Sequence, residues 1–478
     1  MEVVVGSLPI LCIDFGTTKS VAATFIDGKV VFIPAADGSY LTPSVVAFDD
    51  SGNILVGQSA LRQSITKPER TIHAIKSKIG TDFFVNIGRK KYTPQDIIAI
   101  IFKKLKQDAE NYLDTKVNQA VVTVPPCFSC KQRSLMIEAG KLAGLEVLRL
   151  INDTSATALA YVNNNKSEGN IVVIDLGGGT MSVTVFEIGN DVVEAKATCG
   201  NNWLGGNDFD WRIVDYVAEE FRKAEGVDLR KDNMAQQRLK EAAERAKMDL
   251  SSTSNTEINL PFITFTKSGS KNLNVNLNRA HFDRLTEELI EKLLGLIKQT
   301  LSDAEITSYG DINRAILVGG ASRAPAVQRS ISNYFSKQLF KRLDPDLKLA
   351  YGGVCLSKIL SGISRDLLLD LITQSIGIET QGGLFKKIIK RNTTIPTEMK
   401  ETFSTTTDNQ SSIEVHVLQG EGEMAADNIS LGLLTLDIPP APKGLPQIEV
   451  GINVDSIGLV EVTAKDLGSK REQRVKFF

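Results

Sequence analysis

Two stretches limit what this chain can become. "ILCIDFGTTKS" (10–20) and "IVVIDLGGGTMS" (171–182) each run an apolar, β-branched segment into Asp, an apolar residue, glycine and threonine. "AVVTVPP" (120–126) and "RAILVGG" (314–320) are two more short runs, ending on Pro or Gly. Continuous apolar runs of this kind suit strands covered on both faces, as in α/β domains. A glycine-rich turn after such a strand lets backbone N–H groups reach phosphate oxygens with no Cβ in the way. Threonine hydroxyls add donors, and an aspartate at the strand end suits a hydrated Mg²⁺. Two such turns far apart in one chain imply two related halves gripping a polyphosphate from opposite sides. "ILVGGASRAPAVQ" (316–328) adds Gly319 and Gly320 before a helix expected to start at Ser322, an anion site of a second kind. The chain has no GxxxxGK[ST], which leaves a P-loop NTPase unsupported.

The 478 residues are too many for one core and imply about two to four domains. With 42% hydrophobic and 23% charged residues, the composition is that of a folded soluble protein. A net charge of -2 offers no general attraction to nucleic acid or membrane surfaces, and neither is expected as a partner. No stretch approaches the roughly 18 uninterrupted apolar residues of a membrane helix. "MEVVVGSLPILCIDFG" lacks a basic leader and a small-residue cleavage site, and its apolar part reads as a strand. Five cysteines, Cys12, Cys127, Cys130, Cys199 and Cys355, imply no disulfide framework and fit a reducing compartment. The expected location is the cytoplasm.

Up to about residue 363 strand-like and helix-like segments alternate. In "MAQQRLKEAAERAKMDLSS" (234–252), Leu239, Ala242, Ala246 and Leu250 keep a helical period. After residue 371 the period becomes two: Ile413, Val415 and Val417, then Ile448, Val450, Ile452 and Val454. Gly and Asp sit at the turns, so an antiparallel β-sandwich is expected. The organisation expected is therefore 1–363, a connecting segment 364–371, and a sandwich over 372–478. "RDLLLDL" (365–371) reads as a helix end or buried strand, or as an apolar segment that docks and undocks at a domain boundary.

Other motifs carry less. "GEGEMA" (420–425) fits GxGxxA but puts Glu421 and Glu423 where a pyrophosphate would lie, and reads as a loop. "CFSC" (127–130) has redox spacing without a partner histidine, so structural thiols are expected. His73, His281 and His416 share no ligand spacing, which argues against a zinc site or a histidine-based triad.

Taken together, "IDFGTTKS", "VVTVPPCFSCKQR", "AGLEVLRLINDTSATALAY", "VIDLGGGT", "LGGNDFD", "AAERAKMDLSS", "LVGGASRAPAVQ", "NTTIPT", "FSTTTDNQSSIEVHVLQGE" and "PQIEVGINVDSIGLVEVTAKD" resemble the 70-kilodalton heat-shock chaperone family, DnaK type. The resemblance runs in order over nearly the whole chain. It implies an α/β actin-like two-lobed ATPase domain, an apolar linker and an antiparallel peptide-binding β-sandwich. It also implies ATP or ADP, Mg²⁺ and a potassium ion as cofactors. Implied partners are unfolded or extended peptides, a J-domain cochaperone and a nucleotide exchange factor.

By the same resemblance, Asp14, Gly16, Thr17 and Thr18 form the first phosphate turn, with Asp14 holding Mg²⁺ through water. Lys76 stands by the γ-phosphate, Asp175 orients or deprotonates the attacking water, and Thr180 contacts the γ-phosphate. Gly177, Gly178, Gly205, Gly206, Gly319 and Gly320 belong to the nucleotide cradle. Glu244, Lys247 and Ser251 match the adenosine contacts, and their spacing alone puts them on one helical face. Arg323 flanks the adenine and Asp346 lies in a closing loop. Thr18, Ser251 and Asp346 are equally readable as capping or turn residues. Pro125, Arg133, Arg149, Asn152, Leu367, Leu368, Leu369 and Asp370 match positions that couple the domains. Ile378, Thr380, Gln381, Phe403, Thr406, Gln410, Ile413 and Val415 match the peptide cleft, although alternating Ile and Val in a sandwich is core by default.

The chain departs from the family pattern in four places. Asp153 and Thr154 replace a Glu-Pro pair, Asp153 standing where the family's glutamate orders the metal's waters. Ser182 replaces an aspartate near the metal and potassium sites, so slow hydrolysis is expected. The segment between Lys76 and Pro125 is about two dozen residues shorter than in typical members. A sandwich without a helical lid is expected, and Gln381 and Thr406 make the cleft rim more polar, so fast peptide exchange is expected. The main expectation is an ATP-dependent chaperone with weak ATPase activity. The alternative is a nucleotide-sensing module of the same fold with little or no hydrolysis. A sugar or acetate kinase of the actin-like superfamily shares the phosphate turns, but the linker and sandwich argue against it.

Overall fold

The computed structural model describes residues 9–477, apart from 166–167, 267–268, 337–338, 341–343 and 345. The apolar N-terminal stretch becomes strand Ile10–Phe15, while residues 1–8 of that reading lie outside the described residues. Ile10–Phe15 folds back antiparallel on Lys19–Ile26, which pairs with Lys29–Phe32. On its other side it runs parallel to Gln119–Val124, which pairs in parallel with Glu146–Asn152. A second sheet repeats this plan. Gly169–Leu176 folds back on Met181–Gly189, then Val192–Asn201 follows, and Ile312–Val318 lies parallel on the far side. The two Asp–x–Gly turns therefore occupy equivalent corners of two similar sheets.

Both sheets are covered on two faces, which explains the unbroken apolar runs. Cys12, Val121, Ile171 and Val173 point into a shared central core with helices Asp153–Asn164 and Lys348–Leu360. Leu11, Ile13 and Val122 face outward into the first sheet's helices, and Val172 and Ile174 into the second's. The amphipathic segment forms helix Asn233–Ser252, started by Asp232, whose carboxylate accepts from Ala235 N at 2.9 Å. After Ala235 its fully buried row continues with Leu239, Ala243, Ala246 and Leu250, whereas Ala242 is only half-buried. Spacings of four, three and four follow one helical stripe more closely than the row read from the sequence.

Between Lys76 and Pro125 lie a small hairpin, Val85–Ile87 with Lys90–Tyr92, and helix Pro94–Leu113. The helix expected at Ser322 begins three residues later. Ser322 lies in a 3₁₀ turn, Gly320–Arg323, and the α-helix runs Pro325–Phe335. Pro325 fixes the first helical position and disfavours helical geometry at Ala324.

The C-terminal part is a sandwich of two four-stranded antiparallel sheets. One is ordered Leu384–Ile389, Ile376–Thr380, Ser412–Gln419, Ile429–Asp437. The other is ordered Thr397–Phe403, Ile448–Val454, Val460–Asp466, Glu472–Phe477. Val415, Val417, Ile448, Val450, Ile452 and Val454 are buried between them, and Ile413 is half-buried.

The connecting leucines form a strand, Leu367–Leu371. Leu367, Leu368 and Leu369 pair in parallel with Val192, Val193 and Glu194. Asp370 and Leu371 then pair with Ile395 and Thr394. The second sheet thus continues without a break into the segment that opens the sandwich.

Candidate functional site

The two Asp–x–Gly turns face each other closely. A Cβ on Gly178 would lie 2.4 Å from Thr18 Oγ1, so only glycine permits that approach. The first turn is pinned by Ser44, whose Oγ donates to Gly16 O at 2.8 Å and lies 2.8 Å from Ser20 Oγ. The second is tied to helix Gly206–Glu225. There Gly206 N donates to Gly177 O at 2.9 Å and Asn207 N to Gly178 O at 2.7 Å. At the third strand end Gly319 has φ +84°, and a Cβ there would lie 2.3 Å from Leu176 O and 2.5 Å from Asp175 Oδ1.

Between these turns is a cleft of about 300 Å³, at the lower end of the range for ligand pockets. Asp14, Gly16, Thr17 and Thr18 line it from the first turn, and Asp175, Gly177, Gly178 and Thr180 from the second. Gly319, Gly320 and Arg323 come from the third strand end, and Glu244, Lys247 and Ser251 from helix Asn233–Ser252. Lys76, Asp153, Gly206 and Asp346 complete the expected set. Gly205 alone stands behind the lining, against the second turn, where a Cβ would lie 2.6 Å from Gly179 N.

The charges concentrate at one end. Lys76 is buried, 3.7 Å from Asp153 Oδ2, with its ammonium about 6 Å from the Phe15 and Phe128 rings. Asp14 accepts from Thr123 Oγ1 at 3.0 Å. Burial, then the Asp153 charge, pushes the Asp14 carboxyl up to about 7. Burial, then Asp153 and Asp14, pushes Asp175 up to about 8. Asp153 Oδ1 is buried with no hydrogen-bond partner. Crowded carboxylates and an orphaned oxygen are what a hydrated Mg²⁺ relieves, so the residues fit that ion. Asp14, Asp153 and Asp175 would hold it through water, and the ion would neutralise phosphate charge.

A pH dependence follows for the nucleotide-free protein. Both carboxyls titrate near 4 in the unfolded chain and higher when folded. The folded state therefore binds more protons, and its stability falls as pH rises from about 4 to about 8. The melting temperature should decline over that window, and Asp175→Asn should flatten the decline. An unchanged slope in the variant would contradict the assignment.

On the far side of the cleft Lys247 pairs with Asp210 at 2.7 Å and donates to Gly206 O at 3.0 Å. Ser251 Oγ donates within its own helix to Lys247 O at 3.2 Å. Arg323 and Asp346 form an ion pair at 2.6 Å. Thr123, Asn207, Asp210 and Lys348 were not anticipated. Thr123 lay hidden inside "AVVTVPP", and Lys348 is a charged residue inside the apolar "LKLAYGG". Ser182 sits opposite Asp175 in the strand ladder and is buried.

The family model for Hsp70 protein matches residues 10–477. The chain belongs to the Hsp70 family. Membership carries a chaperone and ATP-binding role, with nucleotide and Mg²⁺ as general cofactors and substrate polypeptides and cochaperones as general partners. Hsp70 proteins are ATPases in general. Among the described residues no helix is long and apolar enough to cross a membrane.

Of the residues matched to the Hsp70 peptide cleft, Ile378 and Val415 are buried in the sandwich core, and Phe403 and Ile413 pack against it. Thr380 is half-buried and donates to Leu384 O at 3.2 Å, and Gln410 Nε2 donates to Ser412 O at 2.8 Å. Gln381 and Thr406 are exposed.

The residues matched to interdomain coupling converge where sandwich and nucleotide-binding part meet. Buried Arg133 donates to Phe128 O at 3.3 Å, Pro126 O at 3.2 Å, Asn152 Oδ1 at 2.6 Å and Ile457 O at 3.4 Å. Arg149 donates to Ser456 Oγ. Cys130 N donates to Gln419 Oε1 at 3.1 Å, and Cys130 Sγ to Gly458 O at 3.4 Å. Pro125 follows strand Gln119–Val124 directly and is buried. Asp370 accepts from Ser155 Oγ at 3.0 Å. Burial pushes the Arg133 and Arg149 guanidinium groups down, and Asp370 opposes that shift.

Proposed function

We propose that the chain is an ATP-dependent chaperone in which nucleotide in the cleft sets the affinity of the sandwich for extended apolar peptides. In this reading the first part is the two-lobed, actin-like ATPase of the family, and 364–371 is its linker. The supporting observation is one helix. Asp153–Asn164 opens on Asp153, 3.7 Å from Lys76, and Ser155 on the same turn holds linker Asp370 at 3.0 Å. Asn152, just before it, holds Arg133, which reaches Ile457 of the sandwich. A shift of this helix on nucleotide binding would be felt by the linker and the sandwich together.

For the chemistry, the turns bind and orient the triphosphate, and Lys76 compensates charge on the transferred group. Asp175 orients the attacking water and accepts its proton, and Thr180 contacts the γ-phosphate. Peptide would add backbone hydrogen bonds at the sandwich, with an aliphatic side chain entering a pocket beside Ile378, Phe403, Ile413 and Val415.

Steady-state phosphate release tests the enzymatic part. Slow turnover is expected, because Ser182 contributes no carboxylate beside the metal, and Ser182→Asp should accelerate it by about tenfold or more. Absence of wild-type turnover, restored by Ser182→Asp, would instead favour the nucleotide-sensing module.

A further inference from the structure

Three lysines close together lie over aromatic rings instead of pointing freely into water. Lys78 Nζ is 5.9 Å from the centroid of Phe83, Lys90 Nζ 4.6 Å from that of Tyr92, and Lys91 Nζ 3.9 Å from that of Phe84. They belong to one surface, the hairpin Val85–Ile87 with Lys90–Tyr92 and the loop before it. Val85, Ile87 and Tyr92 pack on the core outside the first sheet, while Phe84, Asn86 and Lys91 are exposed. Asn86 pairs with Lys91 in the ladder, which puts Phe84 diagonally beside Lys91 on the outer face. Phe83 and Phe84 are 36% and 46% exposed, two adjacent rings that the fold leaves out of its cores.

Residues 77–92 carry four exposed cations, Lys78, Arg89, Lys90 and Lys91, against one carboxylate, Asp82, in a chain of net charge -2. Among the described residues none of the four forms an ion pair within 4 Å, and the neighbouring pairs along the chain are Lys76–Asp153 and Lys104–Asp108. The loop is held in place. Gln132 Nε2 donates to Ile79 O at 3.1 Å, Thr81 Oγ1 to Lys78 O at 2.7 Å and Phe83 N to Thr81 Oγ1 at 3.3 Å. Rings and ammoniums are thus presented with little ordering left to do on binding.

We propose that this hairpin is a docking surface for an acidic polypeptide segment with apolar residues between its carboxylates. Charge complementarity selects the occupant: an ammonium resting on a ring keeps its outer N–H groups for a carboxylate, and the exposed parts of Phe83 and Phe84 take apolar side chains. Single-stranded nucleic acid fits less well, because bases stack on ring faces and Lys91 covers a face of Phe84. The net charge of the chain adds no wider attraction to an anionic bilayer. The surface uses none of the residues matched to the sandwich cleft, so it does not depend on the chaperone reading.

Fluorescence anisotropy on the full chain tests this with a labelled peptide of about 12 alternating Glu and Leu residues. A matching Gln–Leu peptide measures whatever binding is independent of charge, the sandwich included. The acidic peptide should bind about tenfold more tightly or better, and its advantage should shrink as salt rises from ~50 to ~300 mM. Lys90→Glu combined with Lys91→Glu should remove the advantage, and Phe84→Ala should weaken the acidic peptide by about fivefold. All three side chains are exposed, so melting temperatures should stay near wild type. Should the double reversal unfold the chain, Arg89→Glu and Phe84→Ala carry the same test. No preference for the acidic peptide in wild type, or a preference that survives these substitutions, would overturn the proposal. Tighter binding of an oligouridine or of phosphatidylserine vesicles, lost in the same variants, would overturn the choice of occupant.

Discussion

Lys76→Ala should lower ATP turnover by about a hundredfold to a thousandfold, the range seen when a preorganised charge-stabilising donor is removed. Its ammonium is buried against Phe15 and Phe128 and stands 3.7 Å from Asp153. Removing it also leaves Asp14, Asp153 and Asp175 to repel one another with one cation fewer, so part of the loss comes from a displaced Asp153. The opposite wall of the cleft keeps its own contacts, Lys247 being held by Asp210 and Gly206. Affinity for ADP should therefore stay within about tenfold of wild type. Single-turnover phosphate release and calorimetric ADP binding separate the two effects. A variant as fast as wild type would remove Lys76 from the chemistry.

Arg133→Ala should abolish the effect of ATP on the sandwich while leaving turnover in place. One guanidinium joins Pro126, Phe128 and Asn152 to Ile457. Its loss leaves buried oxygens unsatisfied, at ~1–3 kcal/mol for each that water does not reach. A docking loss of ~2 kcal/mol corresponds to about thirtyfold faster amide exchange in the released segment, here Leu367–Leu371. Arg133→Lys should restore little, because an ammonium cannot span four acceptors as a planar fork does. Exchange at Leu367–Leu371 that is unchanged in Arg133→Ala would show that the guanidinium does not hold the docked arrangement.

The turns were legible because their signal is local. Asp14 and Asp175 each end an apolar run, and the glycines that follow are demanded by the close approach of Gly178 to Thr18. The period-two sandwich was legible for the same reason. The sequence was less informative where a long-range contact decides the outcome. Ser322 looked like a helix start, yet Pro325 moved the helix onset beyond it. Ala242 and Ala243 differ by one position, and only packing against the second sheet selects Ala243. Lys348 stands in an apolar run with no local sign that it is buried, since its contact with Leu317 O is made with a residue well upstream. "RDLLLDL" left strand and helix end both open, and pairing with Val192–Glu194 resolves it as a strand.

The central claim is that the cleft and the sandwich communicate through the helix that carries Asp153 and grips Asp370. The most direct measurement is the release rate of a fluorescent apolar peptide from the full chain, with and without ATP and Mg²⁺. The account predicts that ATP accelerates release in wild type by about tenfold or more and has no effect in Asp370→Ala. Equal release rates with and without ATP in wild type, or full acceleration in Asp370→Ala, would contradict it.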